Sequence, residues 1–145
     1  MPFTLRSYRR LPLTYVLSFW SLITLLVLSS GPAYAEWMAV EKTDDGMTIY
    51  FDPDSIRRKE DLVKMWVLYD YKTVQTVEGV SYLTLKTQSE YDCTEKRTRM
   101  LELTYFSGQM GSGKVAFSDS VEGKWLPVSP DSIGEAVWKF ACGKE

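Results

Sequence analysis

The chain has 145 residues, with 17 Lys+Arg against 19 Asp+Glu, two cysteines and no histidine. The net charge is −2, and −5 without the three arginines of the first ten residues, a mildly acidic excess that argues against a general affinity for nucleic acid or anionic lipid. The absence of histidine removes the commonest general base and the commonest nitrogen ligand of metals.

The first segment reads as a leader. MPFTLRSYRR carries Arg6, Arg9 and Arg10, and no acidic residue precedes Glu36. An apolar run from Leu11 to Leu28 comes next, then the small residues SSGPAYA. Ala33 and Ala35 stand third and first before the cut of an A-x-A site. These three parts make a secretory signal peptide over residues 1–35, expected to be cleaved between Ala35 and Glu36. The apolar run is also about long enough for an uncleaved anchor; the A-x-A end favours cleavage. Arg9-Arg10 resembles a folded-protein export signal, but Pro12 spoils the stretch after it, so ordinary unfolded export is expected. Residue 36 is not cysteine. A lipid anchor at the new N-terminus is therefore not expected, nor stable membrane insertion after cleavage.

Residues 36–145 are then one domain of ordinary size. Of the 17 cationic residues, the 3 leader arginines depart and leave 14 against 19 acidic ones, a net charge of −5.

Trp37–Val40 opens this domain, and Asp44-Asp45-Gly46 reads as a turn into a strand over Met47–Phe51. Asp52-Pro53-Asp54 ends that strand, because proline cannot donate to a ladder. The two aspartates are read as turn residues rather than calcium ligands, since they lack EF-hand spacing. Arg57-Arg58-Lys59 is placed in a turn. Val63–Tyr71 is the clearest strand: Val63, Met65, Val67 and Tyr69 alternate with Trp66 and Leu68, so both faces are apolar and the strand is central.

Tyr82–Asp92 alternates again and ends at Cys93. Glu90 and Asp92 share one of its faces and read as solvated charges rather than a hydrolytic pair. Lys96–Phe106 comes next, with Leu101, Leu103 and Tyr105 on one side and Thr98, Glu102 and Thr104 opposite. Connections this short make the strands antiparallel neighbours. Ser129-Pro130-Asp131 then starts a helix, with serine as N-cap and proline in the first turn. Ile133, Ala136, Val137, Phe140 and Ala141 form its apolar stripe, Glu135 pairs with Lys139, and Gly143 stops it.

GQMGSGK at 108–114 matches the frame of a phosphate-binding loop. The match is accidental on this reading: Val115 stands where a Ser or Thr should hold magnesium, and the loop leads into a strand rather than a helix. Gly108, Gly111 and Gly113 are expected at positive φ in a hairpin loop. Cys93 and Cys142 both lie in the exported part, where two thiols are expected to form one disulfide. A free catalytic thiol or half a metal site are the competing readings; the chain has neither a C-x-x-C nor a histidine to support them. The fold class is α+β, an antiparallel sheet with one terminal helix. No catalytic residue or cofactor is expected.

The stretches TIYFDPDSIRR, VKMWVLYDYK, SEYDCTEKRTRMLELTYFSGQMGSGKV and PDSIGEAVWKFACGK together resemble the surface-adhesin protein E-like domain of bacterial exported proteins. The resemblance covers residues 36–145. It implies a single sheet of about six strands with the C-terminal helix tied to the concave face by a Cys93–Cys142 bridge. It also implies adhesion to extracellular macromolecules without enzymatic activity. The chain is accordingly read as an exported binding domain, periplasmic or at the cell surface, with a protein or polysaccharide partner. Candidate contacts are the basic residues Arg57, Arg58, Lys59, Lys96, Arg97 and Arg99. The alternative is a periplasmic accessory protein of the envelope without adhesive role, which an exposed sheet edge could make a homodimer.

Overall fold

The computed structural model describes residues 36–120 and 122–144, so the expected signal peptide over 1–35 lies outside them. Eight strands occur in order: β1 (Met38–Lys42), β2 (Met47–Phe51), β3 (Arg57–Lys59), β4 (Leu62–Val77), β5 (Val80–Asp92), β6 (Arg97–Phe106), β7 (Val115–Asp119) and β8 (Leu126–Pro127). One helix, α1 (Ile133–Ala141), closes the described chain. The strands form one sheet in the order β1-β2-β4-β5-β6-β7, with short β3 paired to β4 and short β8 to β6. Every pairing is antiparallel. The α+β class and the six-strand path agree with the expectation. Arg57–Lys59 is a strand rather than the expected turn, because Lys59 and Leu62 pair across a tight turn that passes through Glu60 at φ 54.

β4 is central, as its doubly apolar pattern predicts; one face is covered along Val63–Val67, while on the other Leu68 is buried and Lys64 is exposed. Val63, Met65 and Val67 are buried on the face that α1 covers, together with Ile49, Phe51, Tyr91 and, from the helix, Val137, Trp138 and Ala141. A fully buried side chain such as Ile49 or Met65 contributes roughly 2–3 kcal/mol by area. β4 and β5 run beyond their expected ends at Tyr71 and Tyr82 and form an arm. Its two-residue turn has Glu78 at φ 50 and Gly79 at φ 81, the left-handed pair a tight hairpin requires.

The helix differs from expectation in three respects. It begins at Ile133 rather than after Ser129, and its N-cap is Ser132, whose Oγ accepts from Glu135 N at 3.1 Å. Asp131 takes φ 56, which no helix start tolerates. Its buried stripe is also rotated. Trp138 is 4% exposed while Phe140 is 38% exposed, because Trp138 Nε1 donates to Asp92 O at 2.9 Å and draws that side inward. Finally, Glu135 bonds Lys96 Nζ at 2.5 Å instead of pairing with Lys139. The disulfide is where expected: Cys93 at the end of β5 joins Cys142 at the C-cap of α1, with 5.6 Å between Cα atoms.

Among the described residues, no helix covers the second face of the sheet. Part of it is covered by the glycine loop between β6 and β7. Thr84 is fully buried there; its Oγ1 lies 2.7 Å from Gly108 O and 2.9 Å from Asp70 Oδ1, and accepts from Gly111 N at 3.2 Å. Asp70 Oδ1 also accepts from Met110 N at 2.7 Å. Gly111 and Gly113 take the expected positive φ, but Gly108 does not; its φ is −110. What position 108 requires is room, since a Cβ there would meet Ser112 Oγ at 2.4 Å. Replacing Thr84 with valine keeps the shape and strands these polar groups. We expect a loss of about 1–3 kcal/mol and faster hydrogen exchange at the Met110 and Gly111 amides. Unchanged protection at both would refute the loop's anchoring by Thr84.

Candidate functional site

Directly opposed residues of antiparallel strands share a face. The register therefore sets two rows across the open face, near the β3 end. One runs Arg57, Lys64, Glu90, Arg99; the other runs Lys59, Leu62, Asp92, Arg97. Five cationic side chains thus lie on four adjacent strands with two carboxylates between them.

The carboxylates are buried, Glu90 at 4% and Asp92 at 5% exposure, and not the solvated charges expected from the sequence. Burying a charge is costly unless it is paired, and both are paired. Glu90 Oε2 accepts from Arg99 Nη2 at 2.5 Å and Nε at 2.7 Å, and Oε1 lies 3.9 Å from Lys64 Nζ. Asp92 Oδ2 accepts from Arg97 Nε at 3.0 Å. Asp92 Oδ1 accepts from the Glu95 and Thr94 amides at 2.9 and 3.1 Å, which forms the turn into β6. The Glu95 amide chiefly holds the Asp92 carboxyl below its ordinary range, opposed by desolvation and assisted by Arg97 and the Thr94 amide. Each carboxylate is an anchor that fixes an arginine.

Trp125 completes the arrangement. Its ring stacks against both guanidinium groups, 4.8 Å from Arg97 Cζ and 4.6 Å from Arg99 Cζ. Arg99 also pairs with Glu122. Arg57 donates through Nη1 to Asp54 O at 2.8 Å and to Ile56 O at 2.9 Å, on the 3-10 turn that Asp52 caps. Arg57, Arg58, Lys59, Glu60, Leu62, Lys64 and the buried Glu90 line an open cleft of about 590 Å³.

Four of the six basic residues singled out from the sequence, Arg57, Lys59, Arg97 and Arg99, come together in this strip. The other two bond the helix, and Arg58 lines the cleft as well. Arg58 opposes Val63 on the helix-covered face and donates to Ala141 O at 2.7 Å, a cation at a helix C-terminus. Lys96, in the β5–β6 turn at φ 50, reaches Glu135 and lies 5.5 Å over the Trp138 ring. Lys64 and Trp125 were not singled out. Lys64 has a signal, as a lone charge among the apolar residues of 62–68; Trp125 reads from the sequence as a core residue like the other tryptophans, since it reaches the arginines from a separate segment.

Among the described residues, no helix is long and apolar enough to cross a membrane, and no group of three or more acidic or cysteine side chains is placed to hold a metal ion. No curated protein sequence matches the chain. Crystal structures of Haemophilus influenzae protein E do match its fold. Crystal form II aligns at 13% identity over 77% of this chain and 90% of that one, with a TM-score of 0.60. Another structure of the same protein aligns at 13% identity over 77% and 86%, with a TM-score of 0.58. The family model for surface-adhesin protein E matches residues 37–143, which includes all eight strands, the helix and both cysteines. The chain belongs to the surface-adhesin protein E family.

Proposed function

We propose that this chain is an exported, non-enzymatic binding domain. Residues 1–35 act as a signal peptide removed after Ala35, and residues 36–145 recognise an acidic macromolecule of the envelope or the extracellular surroundings. One observation carries the reading. In a domain whose net charge is −5, five cations are brought into register on one open face, and buried carboxylates hold two of the guanidinium groups in place. Family membership and the fold shared with protein E support an adhesive role.

The test uses the full chain expressed with its leader. The exported product should begin at Glu36. It should bind immobilised envelope or matrix material at micromolar concentration, and Lys59→Glu/Lys64→Glu should reduce that binding at least tenfold. An exported protein whose binding is indifferent to this charge reversal would overturn the assignment of the strip.

A further inference from the structure

We infer that the ligand of the open-face strip is a sulfated polysaccharide chain rather than an acidic polypeptide; this rests on the strip being the binding site. Three features of the strip point to it. The first is that the main chain of its three inner strands is already used, β3 at the rim being paired with β4 alone among the described residues. Over 62–64, β4 is paired to β3 and β5; over 90–92, β5 is paired to β4 and β6; over 97–98, β6 is paired to β5 and β8. A polypeptide that adds as an extra strand needs unpaired N–H and C=O groups, and these strands offer side chains instead.

The second feature is the spacing of charge. Neighbouring strands lie about 4.8 Å apart, so the row from Arg57 through Lys64 to Arg99 extends over about 14 Å. The cations stand along a line and do not converge on one point, which suits an extended chain bearing anionic groups at intervals. Lys64 is half exposed at 49%, and Arg97 is 43% exposed although its Nε is held by Asp92. Arg57 and Lys59 are exposed as well. The guanidinium forks match oxyanions such as sulfate bidentately.

The third feature is the tryptophans. Trp66 stands two residues along β4 from Lys64 and so on the same face, with Lys86 Nζ 4.5 Å over its ring. Trp125 stacks on Arg97 and Arg99. Two broad aromatic surfaces among cations match a ligand with both apolar C–H faces and anionic substituents, as a sulfated sugar ring has. An acidic polypeptide offers the carboxylates without the ring faces.

The experiment titrates the exported full-chain product with a heparin-derived oligosaccharide, the same oligosaccharide desulfated, and polyglutamate of matched charge. The sulfated sugar should bind saturably. Its affinity should fall about tenfold or more as salt rises from roughly 0.05 to 0.2 M, as expected when three or so cations release counterions. The desulfated sugar and polyglutamate should each bind at least tenfold more weakly. Lys59→Ser/Lys64→Gln should lose at least tenfold, and the exposed pair Arg57→Ser/Lys59→Ser serves if the first variant does not fold. Polyglutamate binding as tightly as the sulfated sugar would overturn the glycan and leave the strip standing. Binding of none of the three polyanions would overturn both. Full affinity in a folded variant would place the glycan elsewhere and overturn the inference.

Discussion

Cys142→Ser is expected to cost the domain about 4 kcal/mol, the loop-closure entropy released when a link across about 50 residues is lost. Single domains of this size are stabilised by only about 5–15 kcal/mol. The loss should therefore show as a large drop in the denaturant midpoint and as poor accumulation after export. The geometry makes the bridge matter beyond entropy. α1 has only nine residues, too short to persist alone in water. It is fastened by the disulfide, by Arg58 on Ala141 O and by Trp138 on Asp92 O. Without the bridge, the last turn should fray and draw Phe140 off Phe51, whose ring it meets at 3.8 Å between centroids. The measurement is equilibrium unfolding of the oxidised wild type and the variant. The wild type should titrate no free thiol under denaturation. A difference below about 1 kcal/mol would refute the bridge as the fold's main staple.

Glu90→Ala is expected to cost about 3 kcal/mol, at the low end for breaking a buried pair because Arg99 retains Glu122. Removing Glu90 leaves the Arg99 guanidinium largely enclosed with half its partners gone, and Lys64 loses its anchor too. The same variant should weaken binding of an acidic partner although it removes a repelling charge, because Arg99 is no longer held in the row. Glu90→Gln keeps the shape and an acceptor oxygen and should fall between the two. Unfolding measurements check the first effect and ligand titration the second. Tighter binding by a folded Glu90→Ala would mean that Glu90 acts only as a repelling charge and that the cations need no positioning.

Local chemistry made much of this fold readable. The alternation of Val63, Met65 and Val67 against Trp66 and Leu68 marks a strand buried on both sides, and the close spacing of the segments forces antiparallel pairing. The cysteine count and an exported setting give the bridge. The arm from Lys72 to Val80 is not legible, because its side chains are exposed and carry no buried face to set a pattern; only Glu78-Gly79 marks its turn. The helix start is ambiguous because Ser129-Pro130-Asp131 satisfies the same capping preferences as Ser132 with Glu135 three residues on, and only the positive φ of Asp131 separates them.

The basic strip shows where sequence reading stops. Simple alternation along Lys96–Phe106 puts Arg97 and Arg99 on the side of Leu103 and Tyr105, the face that packs toward β4's Val67. The register contradicts this. Gln88 opposes Glu102 while Ser89 opposes Met100, so Leu101 is an extra residue in β6 and alternation changes side there. That one bulge carries both arginines to the open face, where Glu90 and Asp92 receive them. The longer strands outside the arm, the helix and the staple are written in the chain itself, because each arises from the periodicity or chemistry of residues close together or from two unique thiols. The face the cations occupy is set by the assembled sheet, since a side chain's face depends on the register with a neighbouring strand, which no local pattern encodes.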